Sequence, residues 1–231
     1  MTLTITGGAG PHSGRRIARA GASLDEAAAA MILIHGRGAG SADILGLSDA
    51  FARPDVAYFA PEAAGNVWYP QRFVMPLWMN QPDLDSAISV IAALADAIAA
   101  GGVPHERIVL AGFSQGACLA LEVAARHPRR WGGVVALSGG LIGEPDDVTR
   151  HEGSLEGTPA ILCCSDDDAH IPLPRVIASA EMMDRMGAEV VARIIPGMGH
   201  TVTMEEVALV RDLLRTLVET GAASGSGADT D

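Results

Sequence analysis

Short apolar runs without polar alternation recur along this chain, and each gives way to a stretch with helical spacing. Residues 30–35 (AMILIH), 56–60, 108–113, 134–137, 160–164 and 190–195 read as strands, because they are short, apolar and bounded by Gly, Pro or polar residues. Between them lie helical patterns. Ser41 is an N-cap for a helix through about residue 52. Residues 84–100 place Ile88, Ile91, Leu94 and Ile98 on one face and stop at Gly101-Gly102. Further helices are expected at 115–127, 173–186 and 204–220. Strands with no polar face, each followed by a helix, predict an α/β fold: a mostly parallel sheet covered by helices on both faces.

The ends differ from the middle. Residues 1–16 have no strong period and read as a loosely anchored arm, with a strand at 3–6. Residues 221–231 (GAASGSGADTD) are small and acidic, cannot bury enough area to offset ordering entropy, and read as a disordered tail. That leaves 17–220 as one domain. Residues 62–82 are a Pro-rich loop carrying Trp68, Tyr69, Met75, Trp78 and Met79.

Composition narrows the function. The chain has 16 Lys plus Arg against 28 Asp plus Glu, a net charge of −12. Nucleic acid or an anionic membrane would need clustered positive charge, so neither is the expected partner. No basic-then-apolar leader is visible, and no apolar run approaches the ~20 residues that span a bilayer. The three cysteines, Cys118, Cys163 and Cys164, are sparse and odd in number, which suits a reducing cytoplasm rather than a disulfide framework or a metal site.

In parallel sheets the chemistry gathers where strand carboxyl ends meet their loops. Phe113 is followed there by Ser114, in Gly112-Phe-Ser-Gln-Gly116. This Gly-x-Ser-x-Gly pattern, between a strand and a helix, holds a serine on a strained turn. A serine hydroxyl is a weak nucleophile and needs a base held by a third group. The partners follow in the order Ser, acid, His. His200 follows the last strand in PGMGH, whose two glycines let the imidazole swing over the serine. The other histidines have plainer readings. His12, His105 and His151 read as solvated, His127 as a cation at a helix C-terminus, His35 as fixing a loop, and His170 as a neighbour of the acid. The acid follows the 160–164 strand among Asp166, Asp167 and Asp168, and spacing alone does not choose between them.

HGRGA at 35–39, GFSQGA at 112–117, Asp166-x-Asp168-x-His-Ile-Pro172 and PGMGH at 196–200 together resemble the carboxylesterase/phospholipase family of α/β-hydrolases. That family includes the acyl-protein thioesterases and is related to the dienelactone hydrolases. The resemblance spans about residues 30–220. It implies an α/β-hydrolase fold without a separate lid domain, Asp168 as the acid with Asp166 in reserve, and no cofactor or metal. It implies an oxyanion hole from the backbone N–H groups of Gln115 and Arg37. Gln115 opens a helix, whose dipole favours developing negative charge. Many relatives carry an apolar residue at Arg37; here the guanidinium either meets an anionic substrate group or pairs with an acid. Trp68 and Tyr69 either pack the loop onto the body or wall the substrate pocket.

The resulting expectation is a cytoplasmic serine hydrolase that cleaves small soluble carboxylic esters or thioesters through an acyl-enzyme. A homodimer is compatible with the resemblance. The irregular stretch 138–158 carries five acids and no amphipathic insertion, which argues against an interfacial lipase. One alternative is a lactone or dienelactone ring opener, although those relatives usually carry a cysteine nucleophile. Another is a non-catalytic ligand-binding relative, although such proteins typically lose a member of the Ser-acid-His set.

Overall fold

The computed structural model describes residues 10–225, with side chains through 220. Among these, seven strands form one sheet: β1 (Ile17–Gly21), β2 (Ala29–Ile34), β3 (Val56–Pro61), β4 (Ile108–Phe113), β5 (Gly133–Leu137), β6 (Pro159–Ser165) and β7 (Glu189–Ile195). Their spatial order is β1-β3-β2-β4-β5-β6-β7. β1 runs antiparallel to β3, and every other pairing is parallel.

Side-chain alternation explains why helices must cover both faces. In β2, Ala30, Ile32 and Ile34 enter one core, while Ala29, Met31 and Leu33 enter the other. The first core is closed by α3 (Asp83–Ala100), α4 (Gln115–Arg126) and α6 (Leu173–Arg185). The second is closed by α1 (Ser41–Leu45), α2 (Leu47–Phe51) and α7 (Met204–Gly225). α4 is buried along most of its length, because it packs against the central strands β4 and β5. No helix among the described residues is long and apolar enough to cross a membrane.

The sequence reading departs from the structure in several places. β1 was not expected; its alternation is short, and antiparallel pairing with β3 makes it a strand. The single helix expected over 41–52 is two, broken at Gly46, and Gly40 rather than Ser41 precedes the first. Ser41 is the first helical residue, and its hydroxyl donates to Glu62. A four-residue helix, α5 (Pro145–Val148), interrupts the irregular 138–158 stretch. α7 continues to Gly225, past the expected end at Thr220. The strand expected at 3–6 and the last six residues of the expected tail lie outside the described residues.

The expected loose arm is anchored where it can be followed. His12, read as solvated, is fully buried. Its Nε2 donates to the Trp68 carbonyl at 2.9 Å, and its Nδ1 accepts the Ala64 N–H at 3.0 Å. Burial outweighs the pull of its neighbours and holds His12 below the ordinary imidazole value, so it stays neutral and can accept.

Candidate active site

Ser114 sits between β4 and α4 with φ 56° and ψ −118°, the left-handed region that a non-glycine residue rarely enters. The flanking glycines make this turn sterically feasible. A Cβ on Gly112 would lie 2.3 Å from the Gly116 carbonyl, and one on Gly116 would lie 2.0 Å from the Ile34 carbonyl oxygen. The backbone therefore packs directly on β2, and the half-buried serine projects from the turn over the carboxyl ends of the strands.

Two other strand ends converge on it. Ser114 Oγ lies 2.9 Å from His200 Nε2, and His200 Nδ1 lies 2.7 Å from Asp168 Oδ2. An ionised carboxylate only accepts, so Nδ1 carries the proton and Nε2 is free to accept from the serine. The Asp168 carboxyl is completely covered. Burial pushes it up, but bonds from His200 and from the amides of His170 and Ile171 overcome this and hold it below the usual carboxylate range. The rings of Phe113 and His170 each lie 4.8 Å from the His200 ring and crowd it.

Each of the three consecutive aspartates has a separate partner. Asp166 accepts the Gly197 N–H at 2.9 Å. Asp167 accepts the Ser165 hydroxyl and, at 3.1 Å, the Gly199 N–H. Asp168 alone meets the imidazole. Gly197 (φ 63°) and Gly199 (φ 70°) take the left-handed backbone that brings His200 over β4. The two solvent-facing aspartates thus hold the loop that carries His200, while the covered one holds the imidazole itself.

Arg37 and Gln115 bound the other side of Ser114. The N–H of Gln115 opens α4, where helix geometry gives it no intrahelical acceptor. Their side chains take a role that the sequence did not suggest. The Arg37 guanidinium pairs with no acid; it donates to the carbonyls of Pro70 at 3.1 Å, Tyr69 at 2.8 Å and Gln71 at 2.7 Å. Gln115 Oε1 accepts the Trp68 N–H at 3.0 Å, and its Nε2 donates to the Tyr69 carbonyl at 2.8 Å. Buried Asn80 completes the clamp, accepting the Gln71 N–H at 2.8 Å and donating to the Arg72 carbonyl at 3.3 Å. Segment 68–72 is therefore a fixed wall.

That wall borders a cavity of about 400 Å³ lined by Ser114, His200, Tyr69, Phe73, Cys118 and Ile171, with Arg37 and Arg72 on the same surface. Of the two aromatics expected to wall the pocket, Tyr69 does so. Trp68 instead lies in the core, where its indole N–H donates to the His35 carbonyl at 3.0 Å. Phe73, Cys118 and Ile171 escaped the sequence reading, although Cys118 stands four residues after Ser114 on the same helix and could have been found by that spacing.

The remaining histidines are structural. His35 fixes a loop as expected: Nδ1 donates to the Gly36 carbonyl at 2.8 Å and Nε2 accepts the Ala63 N–H at 3.1 Å. His105 is not simply solvated. It bonds Asp96 at 2.8 Å and stands edge-on to Trp131. His151, read as a surface residue, is largely covered beside buried Glu122, with Nε2 3.9 Å from its carboxylate. Burial holds His127 below the ordinary imidazole value, so it is not the helix-end cation that was expected. Burial pushes the thiols of Cys118, Cys163 and Cys164 up to about 12, which leaves none of them a thiolate nucleophile. Among the described residues no group of His, Cys, Asp and Glu is arranged to hold a metal ion.

Comparison with known proteins places the chain among relatives of one family. The family model described as phospholipase/carboxylesterase matches residues 17–218. An acyl-protein thioesterase 1 from Gibberella zeae is 33% identical over 116 residues, 49% of this chain and 49% of its own. A probable carboxylesterase, SOBER1-like, from Arabidopsis thaliana is 24% identical over 164 residues, 65% of this chain and 63% of its own. The chain thus matches about half to three-fifths of the length of these curated relatives. A crystal structure of a phospholipase/carboxylesterase from Dyadobacter fermentans superposes with a TM-score of 0.85 at 37% identity, covering 90% of this chain and 99% of that one.

Proposed function

The chain belongs to the phospholipase/carboxylesterase family of α/β-hydrolase-fold proteins, and from that membership we propose that it is a serine hydrolase of small soluble carboxylic esters or thioesters. The observation that carries the reading is the unbroken relay from Ser114 Oγ to His200 Nε2 at 2.9 Å and from His200 Nδ1 to Asp168 at 2.7 Å.

In this reading Ser114 Oγ attacks the acyl carbon while His200 Nε2 takes the hydroxyl proton. Asp168 stays ionised and stabilises the imidazolium that forms. The carbonyl oxygen becomes an oxyanion facing the N–H groups of Arg37 and Gln115, where the start of α4 adds its dipole. His200 then returns the proton to the departing alcohol or thiol, leaving an acyl-Ser114 ester. Water, deprotonated by His200, attacks that ester and releases the carboxylic acid.

A cavity of about 400 Å³ suits short or medium acyl groups. The acidic 144–156 segment, with Asp146 and Asp147 at its helix, does not favour insertion into an anionic lipid surface. Free, buried cysteines fit a cytoplasmic setting. The test is turnover across p-nitrophenyl esters, acyl thioesters and lactones. Rates should saturate with dissolved short or medium esters or thioesters and show no jump at the solubility limit. A sharp rise when droplets form, or turnover of lactones alone, overturns this reading.

A further inference from the structure

All sixteen basic residues of the chain are arginines, and acids outnumber them. Among the described residues, six arginines reach a described carboxylate within 4.0 Å: Arg53, Arg126, Arg129, Arg150, Arg193 and Arg215. The arginines around the cavity behave differently. Arg37 spends its donors on three neutral carbonyls. Half-buried Arg175 donates to the carbonyls of Leu141 and Gly143 and lies 5.8 Å from the centre of the Phe73 ring on the cavity wall. Arg72 is exposed on the cavity surface; its backbone is pinned by Asn80 and by the Met75 N–H, while its guanidinium reaches no carboxylate within 4.0 Å. No Asp or Glu lines this cavity among the described residues.

Carbonyl dipoles orient a guanidinium without cancelling its charge. The cavity lining therefore carries two guanidinium groups and no carboxylate, inside a protein of net charge −12. An anionic substrate approaching such a protein is repelled at long range. Fixed cations become decisive within a screening length of about 8 Å at physiological ionic strength. Arg72 has a fixed backbone and a free fork of donors, the geometry that grips a carboxylate in two places. Phe73 and Ile171 add apolar surface to the same cavity that Arg72 and Ser114 line.

Resting on the hydrolase reading above, we propose that the cavity selects esters that bear a second, ionised carboxylate, with Arg72 as the residue that contacts it and Arg37 supplying the supporting field. The reacting ester lies at Ser114, a short hydrocarbon or aromatic spacer runs along Phe73, and the carboxylate ends at Arg72.

Two matched substrate pairs test this at physiological ionic strength, where the protein's overall negative charge is screened. One carries the carboxylate on the acyl side, 4-nitrophenyl hydrogen adipate against 4-nitrophenyl hexanoate. The other carries it on the alcohol side, 4-acetoxybenzoate against methyl 4-acetoxybenzoate. The carboxylate member of at least one pair should have the higher kcat/KM by about tenfold, the worth of one charged hydrogen bond. That pair also identifies which arm faces Arg72. The ratio should fall towards one with added salt and in Arg72→Gln, and should invert in Arg72→Glu. Neutral members equal or better in both pairs, or a ratio unmoved by both Arg72 variants, overturn the anionic subsite while leaving the hydrolase intact. Labelling of Ser114 by a fluorophosphonate in the same preparation separates the two failures: an unlabelled serine overturns the hydrolase reading and this one with it.

Discussion

The side chains of Arg37 and Gln115 meet on a single atom. The Tyr69 carbonyl oxygen accepts from Arg37 Nη2 at 2.8 Å and from Gln115 Nε2 at 2.8 Å. These are the two residues whose backbone N–H groups face the reacting carbonyl in the proposed reaction. Their side chains therefore fix the donors and the pocket wall against each other, and a shift of either moves both.

Removing that clamp should act on the transition state more than on substrate binding. Arg37→Leu frees three carbonyls and loosens the loop that carries one N–H donor. Losing a whole donor costs about 10²–10³ in rate, so loosening one should lower kcat about 10–100-fold with a smaller change in KM. Arg37→Lys should not rescue it, because one ammonium cannot reproduce a planar fork reaching three acceptors. Steady-state kinetics on neutral esters check this; an unchanged kcat in Arg37→Leu contradicts it.

The three aspartates should separate sharply. Asp168→Asn removes the acceptor that fixes the imidazole tautomer and should lower kcat about 10⁴-fold. Asp166→Asn weakens only the bond to the Gly197 amide, so it should cost about tenfold or less. If Asp166→Asn proved the more damaging, the assignment of the acid would be wrong.

Gly116→Ala should disrupt the fold rather than the chemistry alone. Its new Cβ would sit 2.0 Å from the Ile34 carbonyl oxygen, which is sheet backbone and cannot swing away. A loss of about 3 kcal/mol or more in unfolding free energy is expected. Denaturant unfolding measures it, and a near-native midpoint would show that β2 and α4 are less closely packed than described.

Stability should fall on mild acidification. Burial holds His12, His35 and His151 below the ordinary imidazole value of 6.5. The unfolded chain therefore binds protons that the folded chain refuses. Their contribution is complete above 6.5 and is lost as pH drops through the lowered folded values. Glu206 opposes this, since burial pushes its carboxyl up and folded Glu206 gains from acid. Comparing the native protein with His12→Asn isolates the histidine effect: the variant should lose less Tm between about pH 7.5 and about pH 6. An equal or steeper loss in His12→Asn contradicts it.

What could be read in the sequence is what is encoded locally. Ser114 announces itself because its strained turn demands glycines two residues away on each side. His200 and the aspartates follow because strand ends in a parallel sheet gather in one place. Features that depend on distant partners left no local signal. His12 looks like an ordinary polar loop residue, yet its burial is decided by Ala64 and Trp68, more than fifty positions away. Trp68 reads equally well as wall or core until the His35 carbonyl claims its indole N–H. Of the two partners open to the Arg37 side chain, a substrate anion or an acid of the chain, the second is replaced by three carbonyls that only the folded course of segment 69–71 supplies. β1 is alanine-rich and brief, and it becomes a strand because β3 offers it an edge.

The central claim is that Ser114 is the nucleophile activated through His200 and Asp168. Its most direct measurement is intact-mass and peptide mapping after brief exposure to a fluorophosphonate. The expected result is one adduct per chain, on Ser114, forming orders of magnitude more slowly in His200→Gln and absent in Ser114→Ala. An unmodified chain, an adduct on another residue, or a labelling rate indifferent to His200→Gln would contradict it.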